Sequence, residues 1–483
     1  MSKDREDVET GSVTPPEKAW RRSTVGDISP TQTEFPREQY EEEHHHNGFW
    51  RVGSKQHKAH ENHAQKIAEG IPPPFRFNPI KIVMITGRHT SKLSSLTHIL
   101  LPAIPAGLIL WYHARRTNPL PVFIFNFIAI IPAGNLLSFG SGELQHRLPK
   151  TIGATLEIFT GAIVEIIVCV ILLHLKQYDV VRAALLGSMF ANLLLVTGAC
   201  FLAGGIAYRE QKIASYVGDI SSAALLVSAV GMVSPSLFFQ TIHPRIDISE
   251  SGADLKVLYV SRVVSIGLIV AYFCFLFFQL HTHSTGYHHV LERAESIYVG
   301  RKQYREKLSV LEAIFVALLG LVFVCFCAYF LVREIEFVVE DQGFPELFMG
   351  LILVPLVEKF GEHLTALNQA WDNQLDLALS HCLGGSIQTA LFVAPLIVLV
   401  GWGLGHEMDL NFELFIALSL LLAILVVGNF VRDGKTNWLK GMFLLMVYYV
   451  IAVAAYNDPE LRRHYFGEGL VGEGGEGGIK PGE

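Results

Sequence analysis

Apolar and polar positions are unevenly spread along the chain. Residues 1–92 are polar and rich in Lys, Arg, Glu and His, whereas residues 96–456 carry most of the apolar side chains. In the second region the apolar residues fall into runs near the roughly 20 residues a helix needs to cross a bilayer. Eleven such runs occur, at 96–113, 119–138, 152–175, 182–206, 215–243, 257–280, 309–333, 343–366, 373–405, 409–430 and 436–456. Charges such as Arg115, Arg116, Arg147, Lys150, Lys176, Arg209 and Lys212 fill the connections. The pattern predicts an all-α polytopic membrane protein with about 11 transmembrane helices. It divides into a polar N-terminal region (1–92), a first transmembrane half (93–280, spans one to six) and a His-rich, basic loop (281–308). A second transmembrane half (309–457, spans seven to eleven) and a Gly/Glu-rich tail (458–483) follow.

Composition agrees. Only 17% of the 483 residues are charged, against 51% hydrophobic, while a soluble domain carries about 25% charge. A net charge of -7 offers no basic field to a polyanion, so a nucleic-acid partner is not expected. The six cysteines lie in apolar runs without the spacing of a zinc site and read as packing residues. With the N-terminus in the cytosol, eleven Lys and Arg fall in short cytosolic loops and seven in the opposite ones, which favours that orientation. The N-terminus shows no signal-peptide pattern. Residues 1–75 hold too few apolar side chains to offset chain entropy and are expected to be disordered. The run His44–His46 beside Glu41–Glu43, and the histidines at 281–289, read as solvated stretches rather than metal sites.

Acids inside apolar spans cost about 2.5–3.5 kcal/mol each on insertion scales and point to function. Two stand out: Glu165 in the third span and Glu362 in the eighth. Their surroundings repeat. Glu165 is followed by Gly187-Ser188 and an apolar LLLV run at 193–196; Glu362 is followed at nearly the same distance by Gly385-Ser386 and LFVAP at 391–395. With eleven spans the two copies enter the membrane from opposite sides, giving one extra helix plus two inverted five-helix repeats, a pattern common in secondary transporters. Gly153, Gly161, Pro355 and Gly361 are expected to interrupt the Glu-bearing helices and free carbonyls for a cation. Those carbonyls, the two carboxylates and the Ser188, Asn192, Ser386 and Gln388 side chains would form an oxygen-only site of the kind Ca²⁺ takes. The plainer reading is that the acids pair with basic groups. No base lies near Glu165 in sequence, whereas Lys359 precedes Glu362 by one helical turn.

The stretch EHLTALNQAWDNQLDLALSHCLGGSIQTALFVAPLIVLVGW (362–402) resembles the second signature region of the vacuolar-type Ca²⁺/H⁺ exchangers, a branch of the cation/Ca²⁺ exchanger superfamily. VVRAALLGSMFANLLLVTGACFLAGG (180–205) and NFELFIALSLLLAILVVGNFVRDGKTNWLKG (411–441) are similar to the same family. The resemblance covers roughly residues 96–457. It implies alternating access in a vacuolar membrane, H⁺-driven uptake of cytosolic Ca²⁺, transported Ca²⁺ and H⁺ as the only ligands, and no cofactor. It also implies that each half carries a Gly-Asn-x-x-Glu core whose Asn and Glu contribute to the cation site.

Here the cores are degenerate. Glu165, Glu362, Gly161 and His363 are kept, but Ala162 replaces the first Asn, and Glu358-Lys359 replaces the second Gly-Asn. A further family Asn corresponds to Glu157. Two neutral oxygens are thereby lost and a lysine gained. Lys⁺ and Ca²⁺ about 4 Å apart would repel by several kcal/mol at an effective dielectric of about 20. The added acids could compensate, since Glu157 and Glu165 share a helical face, as do Glu358 and Glu362. Three readings remain: Ca²⁺/H⁺ exchange through a rebuilt site, exchange of another cation (Na⁺, K⁺ or Mn²⁺), or a non-transporting scaffold locked by a Lys359–Glu362 pair. No nucleophile–base pair or cofactor motif suggests an enzyme.

Overall fold

The computed structural model describes residues 98–114, 118–145, 148, 150–242, 250–282, 308–341 and 343–457. The polar N-terminal region, most of the His-rich loop and the C-terminal tail lie outside the described residues. What is described is almost wholly helical. In chain order the helices are α1 (Ala103–Ala114), α2 (Pro119–Gln145), α3 (Lys150–His174), α4 (Tyr178–Tyr208), α5 (Ser215–Ile242), α6 (Glu250–Phe277), α7 (Val310–Arg333), α8 (Ile335–Glu340), α9 (346–358), α10 (Phe360–Trp371), α11 (Leu375–Leu404), α12 (Leu414–Arg432) and α13 (Trp438–Tyr456). Eight of them, α2, α4, α5, α6, α7, α11, α12 and α13, are long and apolar enough to cross a membrane.

Three predicted spans come out differently. The first is a short helix, α1, preceded by a single 3-10 turn at His98–Leu100. The third is α3, whose apolar part runs from Phe159 to His174. The eighth, predicted as continuous over 343–366, is broken at Lys359 into α9 and α10. Together these two segments run the length of α4. Near the start of α9, Gly350 lies against Val180 and Ala183 at the beginning of α4. At the end of α10, the Ala370 carbonyl accepts from Gln211 Nε2, just beyond the end of α4. The short α8 has no counterpart among the predicted elements.

Helices α4 and α11 stand at the centre: 83% of the α4 span is buried, against 22% for α6 and for α13. Outer helices turn Leu, Phe and Val side chains outward, as lipid-facing helices do. Cysteines divide accordingly. Cys169, Cys200, Cys327 and Cys382 are buried packing residues, as expected, whereas Cys274 and Cys325 are exposed on helix surfaces.

Close packing depends on small residues. A Cβ on Gly140 of α2 would lie 2.4 Å from the Ala317 nitrogen of α7, and one on Gly320 of α7 would lie 2.5 Å from the Leu137 nitrogen of α2. The pair α2 and α7, opening the two predicted repeats, thus touches backbone to backbone. Likewise, a Cβ on Gly187 of α4 would lie 2.1 Å from the Leu351 carbonyl of α9.

The ends of the bundle are tied across the halves. At one end, β1 (Glu210–Lys212) pairs antiparallel with β2 (Lys435–Asn437), with Gln211 opposite Thr436. Asp376 Oδ1 accepts from the Ala214 backbone N–H at that same end. At the other end, Arg182 on α4 ion-pairs with Asp409, and the Tyr178 hydroxyl meets His406 Nδ1 at 3.0 Å.

Candidate ion-binding centre

The centre is built where α3, α4, α10 and α11 converge around the break at Lys359. Both central helices widen there. In α4 the turn Ala191–Val196 is π-helical, and in α11 the turn Thr389–Val393 is too. A third π turn, Met349–Leu353, sits in α9. Such turns leave carbonyls without their usual i+4 donor and gather at functional sites. Two of the three have a sequence cause. Pro355 and Pro395 lie just beyond the turns in α9 and α11, and a proline brings no N–H to the carbonyl one turn back. In α4 no proline is present, and the Thr197 hydroxyl donates to the Asn192 carbonyl at 2.8 Å.

Helix α3, by contrast, is uninterrupted from Lys150 to His174. Gly153 and Gly161 therefore do not break it, contrary to expectation, and the break in the partner segment falls at Lys359 rather than at Gly361. Gly161 has a different use. A Cβ there would lie 3.1 Å from Glu362 Oε1, so the glycine clears the space into which the second-half carboxylate reaches. Glu362 thus lies against α3 one turn before Glu165, bringing the acids of the two halves to one place.

Glu165 is only 1% exposed and has found a base. Lys359 Nζ lies 2.7 Å from Glu165 Oε2. The Thr389 hydroxyl lies 3.1 and 3.0 Å from the two Glu165 oxygens and accepts from Lys359 Nζ at 3.3 Å. Proximity in sequence pointed to Glu362 as the lysine's partner and to none for Glu165. The fold overturns this, because the backbone turn at Lys359 (φ -109, ψ 16) carries the side chain across to α3. Burying an ion pair costs desolvation that the attraction only partly repays, so the pair itself is weak evidence of added stability.

Glu358 is also buried, at 6% exposure, and neither carboxylate oxygen has a hydrogen-bond partner. Its carbonyl lies near Gly134 of α2, and the neighbouring Asn135 amide oxygen lies 3.6 Å from where a Gly361 Cβ would be. His363 Nε2 lies 3.2 Å from Asn192 Oδ1, across from α10 to α4. The Asn192 Nδ2 is buried without a partner and would lie 3.0 Å from a Gly385 Cβ, which explains that glycine.

The remaining predicted residues sort as follows. Ser188 is buried with an unpartnered hydroxyl. The Ser386 hydroxyl is turned back onto its own helix, donating to the Cys382 carbonyl at 3.0 Å. Gln388 is buried one residue before Thr389. The Glu157 side chain lies outside the described residues. Thr389 and Asn135 were not anticipated: Thr389 directly follows Gln388, and Asn135 is a single amide among apolar neighbours. Among the described residues no three His, Cys, Asp or Glu side chains stand close enough to hold a metal ion. With the lysine in place, the centre is a carboxylate–ammonium–hydroxyl cluster flanked by further acids.

Comparison with known proteins places this architecture. Residues 119–281 and 312–457 match the family described as sodium/calcium exchanger protein. The vacuolar calcium ion transporter of Schizosaccharomyces pombe is 32% identical, the alignment covering 79% of this chain and 90% of that protein. The vacuolar cation/proton exchanger 3 of Oryza sativa subsp. japonica is also 32% identical, covering 79% and 89%. Among solved structures, native YfkE aligns over 74% of this chain and 99% of its own, with 25% identity and a TM-score of 0.61. The H⁺/Ca²⁺ exchanger CAX shares the fold at 11% identity and a TM-score of 0.54, over 76% and 92%. Matched over both halves, with the two Glu-bearing segments meeting at one centre, the chain belongs to the sodium/calcium exchanger protein family.

Proposed function

We propose that the protein is a secondary active cation/proton antiporter that moves cytosolic Ca²⁺ into the vacuole in exchange for protons. Glu165 and Glu362 are the carboxylates that bind cation and proton in turn. The observation that carries this reading is their convergence. Two acids from opposite halves, each costly in an apolar span, meet where the π turns of α4 and α11 loosen the backbone. The named relatives support the ion and the compartment: a vacuolar calcium ion transporter and a vacuolar cation/proton exchanger align over most of their lengths.

The chemistry is substitution without covalent change. A carboxylate accepts either a proton or a metal ion, and neutralising it allows the loaded centre to be passed from one face to the other. Asn192, Ser188 and Gln388 supply further oxygens around the two acids, and His363 is held by Asn192. The polar N-terminal region and the His-rich loop face the cytosol in this reading. A second reading, exchange of a monovalent cation, is favoured by one observation: the ion already paired with Glu165 carries a single positive charge, that of Lys359.

The test is ion flux in sealed vesicles holding the purified protein, with the interior acidic. Uptake of radiolabelled Ca²⁺ with matching proton release, lost in Glu165→Gln, supports the first reading. Proton release driven only by Na⁺ or K⁺ supports the second. No flux with any of these ions, from folded protein, refutes exchange altogether.

A further inference from the structure

Lys359 occupies the place where a transported cation is expected. Its ammonium group sits 2.7 Å from Glu165 and hydrogen-bonds to Thr389, and the side chain is 4% exposed. A metal ion bound to Glu165 and the ammonium cannot share that carboxylate, because both are cations at close range in a buried site. One residue before the lysine, Glu358 presents two buried carboxylate oxygens that have no partner. An unpartnered buried carboxylate is an uncommon arrangement and asks for an explanation. A lysine has four rotatable bonds and can pivot between two acids while its backbone stays fixed.

We propose that Lys359 is a tethered cation that holds Glu165 between transport events, and that the incoming ion displaces it onto Glu358. Lys359 and Glu358 are then specificity-determining residues that act as a pair. The formal charge of Glu165, Glu358, Glu362 and Lys359 together equals that of Glu165 and Glu362 alone, so the substitution of Glu-Lys for Gly-Asn leaves the charge of the centre unchanged. What it adds is an internal competitor, which every arriving ion must exceed in affinity. The inference rests on the exchange reading for its biological meaning, but the competition itself is read by binding alone.

The experiment measures Ca²⁺ binding to the purified full chain by isothermal titration, alongside flux of Ca²⁺, Na⁺ and K⁺ in vesicles. If Lys359 leaves Glu165 in about a tenth of the molecules, the apparent Kd is about tenfold weaker than the intrinsic one. Lys359→Gln is therefore expected to tighten Ca²⁺ binding about tenfold, with slower release in the flux assay. Glu358→Gln, which removes the receiving acid, is expected to weaken binding by a similar factor. The double variant decides. With no lysine to receive, the loss of Glu358 should matter little, and Kd should fall within about threefold of Lys359→Gln alone, a strong non-additivity.

Additive effects mean that Lys359 acts only through its field or as a strut, and overturn the proposal. An unchanged Kd in Lys359→Gln does the same. If that variant does not fold, Lys359→Arg replaces it. Its planar fork should grip Glu165 more firmly and weaken Ca²⁺ binding about tenfold, and no weakening overturns the proposal. Wild-type protein that binds Ca²⁺ as described but drives no flux would refute exchange and leave the competition standing.

Discussion

Helix α3 and the α9–α10 segment are the same element of the two predicted repeats, yet they are built in opposite ways. One is an unbroken rod, sealed by Ala162 at 0% exposure, with Gly161 open toward the other half. The other carries a π turn, a proline and a break, and at the break it places Glu358 and Lys359 where α3 has Gly161 and Ala162. The difference divides the labour. The first half offers a fixed carboxylate and clearance; the second half supplies the movable charge and the backbone that can bend beneath it. A centre built this way is asymmetric in mechanism even though its scaffold repeats.

The comparison is broken most severely by removing the acids it juxtaposes. Glu165→Gln and Glu362→Gln are each expected to reduce pH-gradient-driven cation uptake to the level of empty vesicles; persistence of uptake in both would remove the centre from the mechanism. Next comes the packing that holds α9 in place. Gly187→Val drives a side chain into the Leu351 carbonyl, a backbone atom that cannot yield. A loss of about 3 kcal/mol or more is expected, seen as a lower Tm and a poorer yield of monodisperse protein.

The rod itself is tested by Ala162→Asn, which restores the residue the family resemblance implies. In a fully buried position the amide is overpacked and short of partners, so destabilisation of about 1–3 kcal/mol is expected, with no gain in Ca²⁺ affinity. A stable variant with tighter Ca²⁺ binding would show that α3 is as adaptable as its counterpart. The smallest effect belongs to Thr389→Val. It removes one hydroxyl shared by Lys359 and Glu165, worth about 1 kcal/mol, and should shift the KM for cation by several-fold while leaving Tm nearly unchanged.

Much of the architecture was legible in the runs of apolar residues, because a crossing helix must satisfy its own backbone and cover itself with apolar side chains. Glu165 and Glu362 stood out for the converse reason, as charges in apolar runs, and the fold brings the two segments together. Legibility failed where distant segments meet. The Lys359–Glu165 pair joins residues from different halves, and local spacing offered only the neighbour one turn away. The continuity of α3 was misread because a glycine within a helix serves a break or a close approach equally well, and only the position of Glu362 decides between them. Thr389 escaped because it adjoins Gln388, and only the fold shows which of the two polar neighbours turns toward Glu165. Pro355 and Pro395 were visible, but that they would be absorbed as widened turns depended on the packing around them.

The small ribbon of β1 and β2, with Gln211 bonded to the end of α10, sets a boundary on how the machine can move. It joins a connection of the first half to one of the second by main-chain hydrogen bonds, so on that side the halves cannot slide past each other without tearing a ladder. It therefore works as a fulcrum. Rocking about it is permitted, shear across it is not, and α10 is anchored at its far end. Opening that requires the Glu362 segment to shift must then be taken up by flexure at Lys359, between α9 packed on α4 and the end of α10 tied to the ribbon.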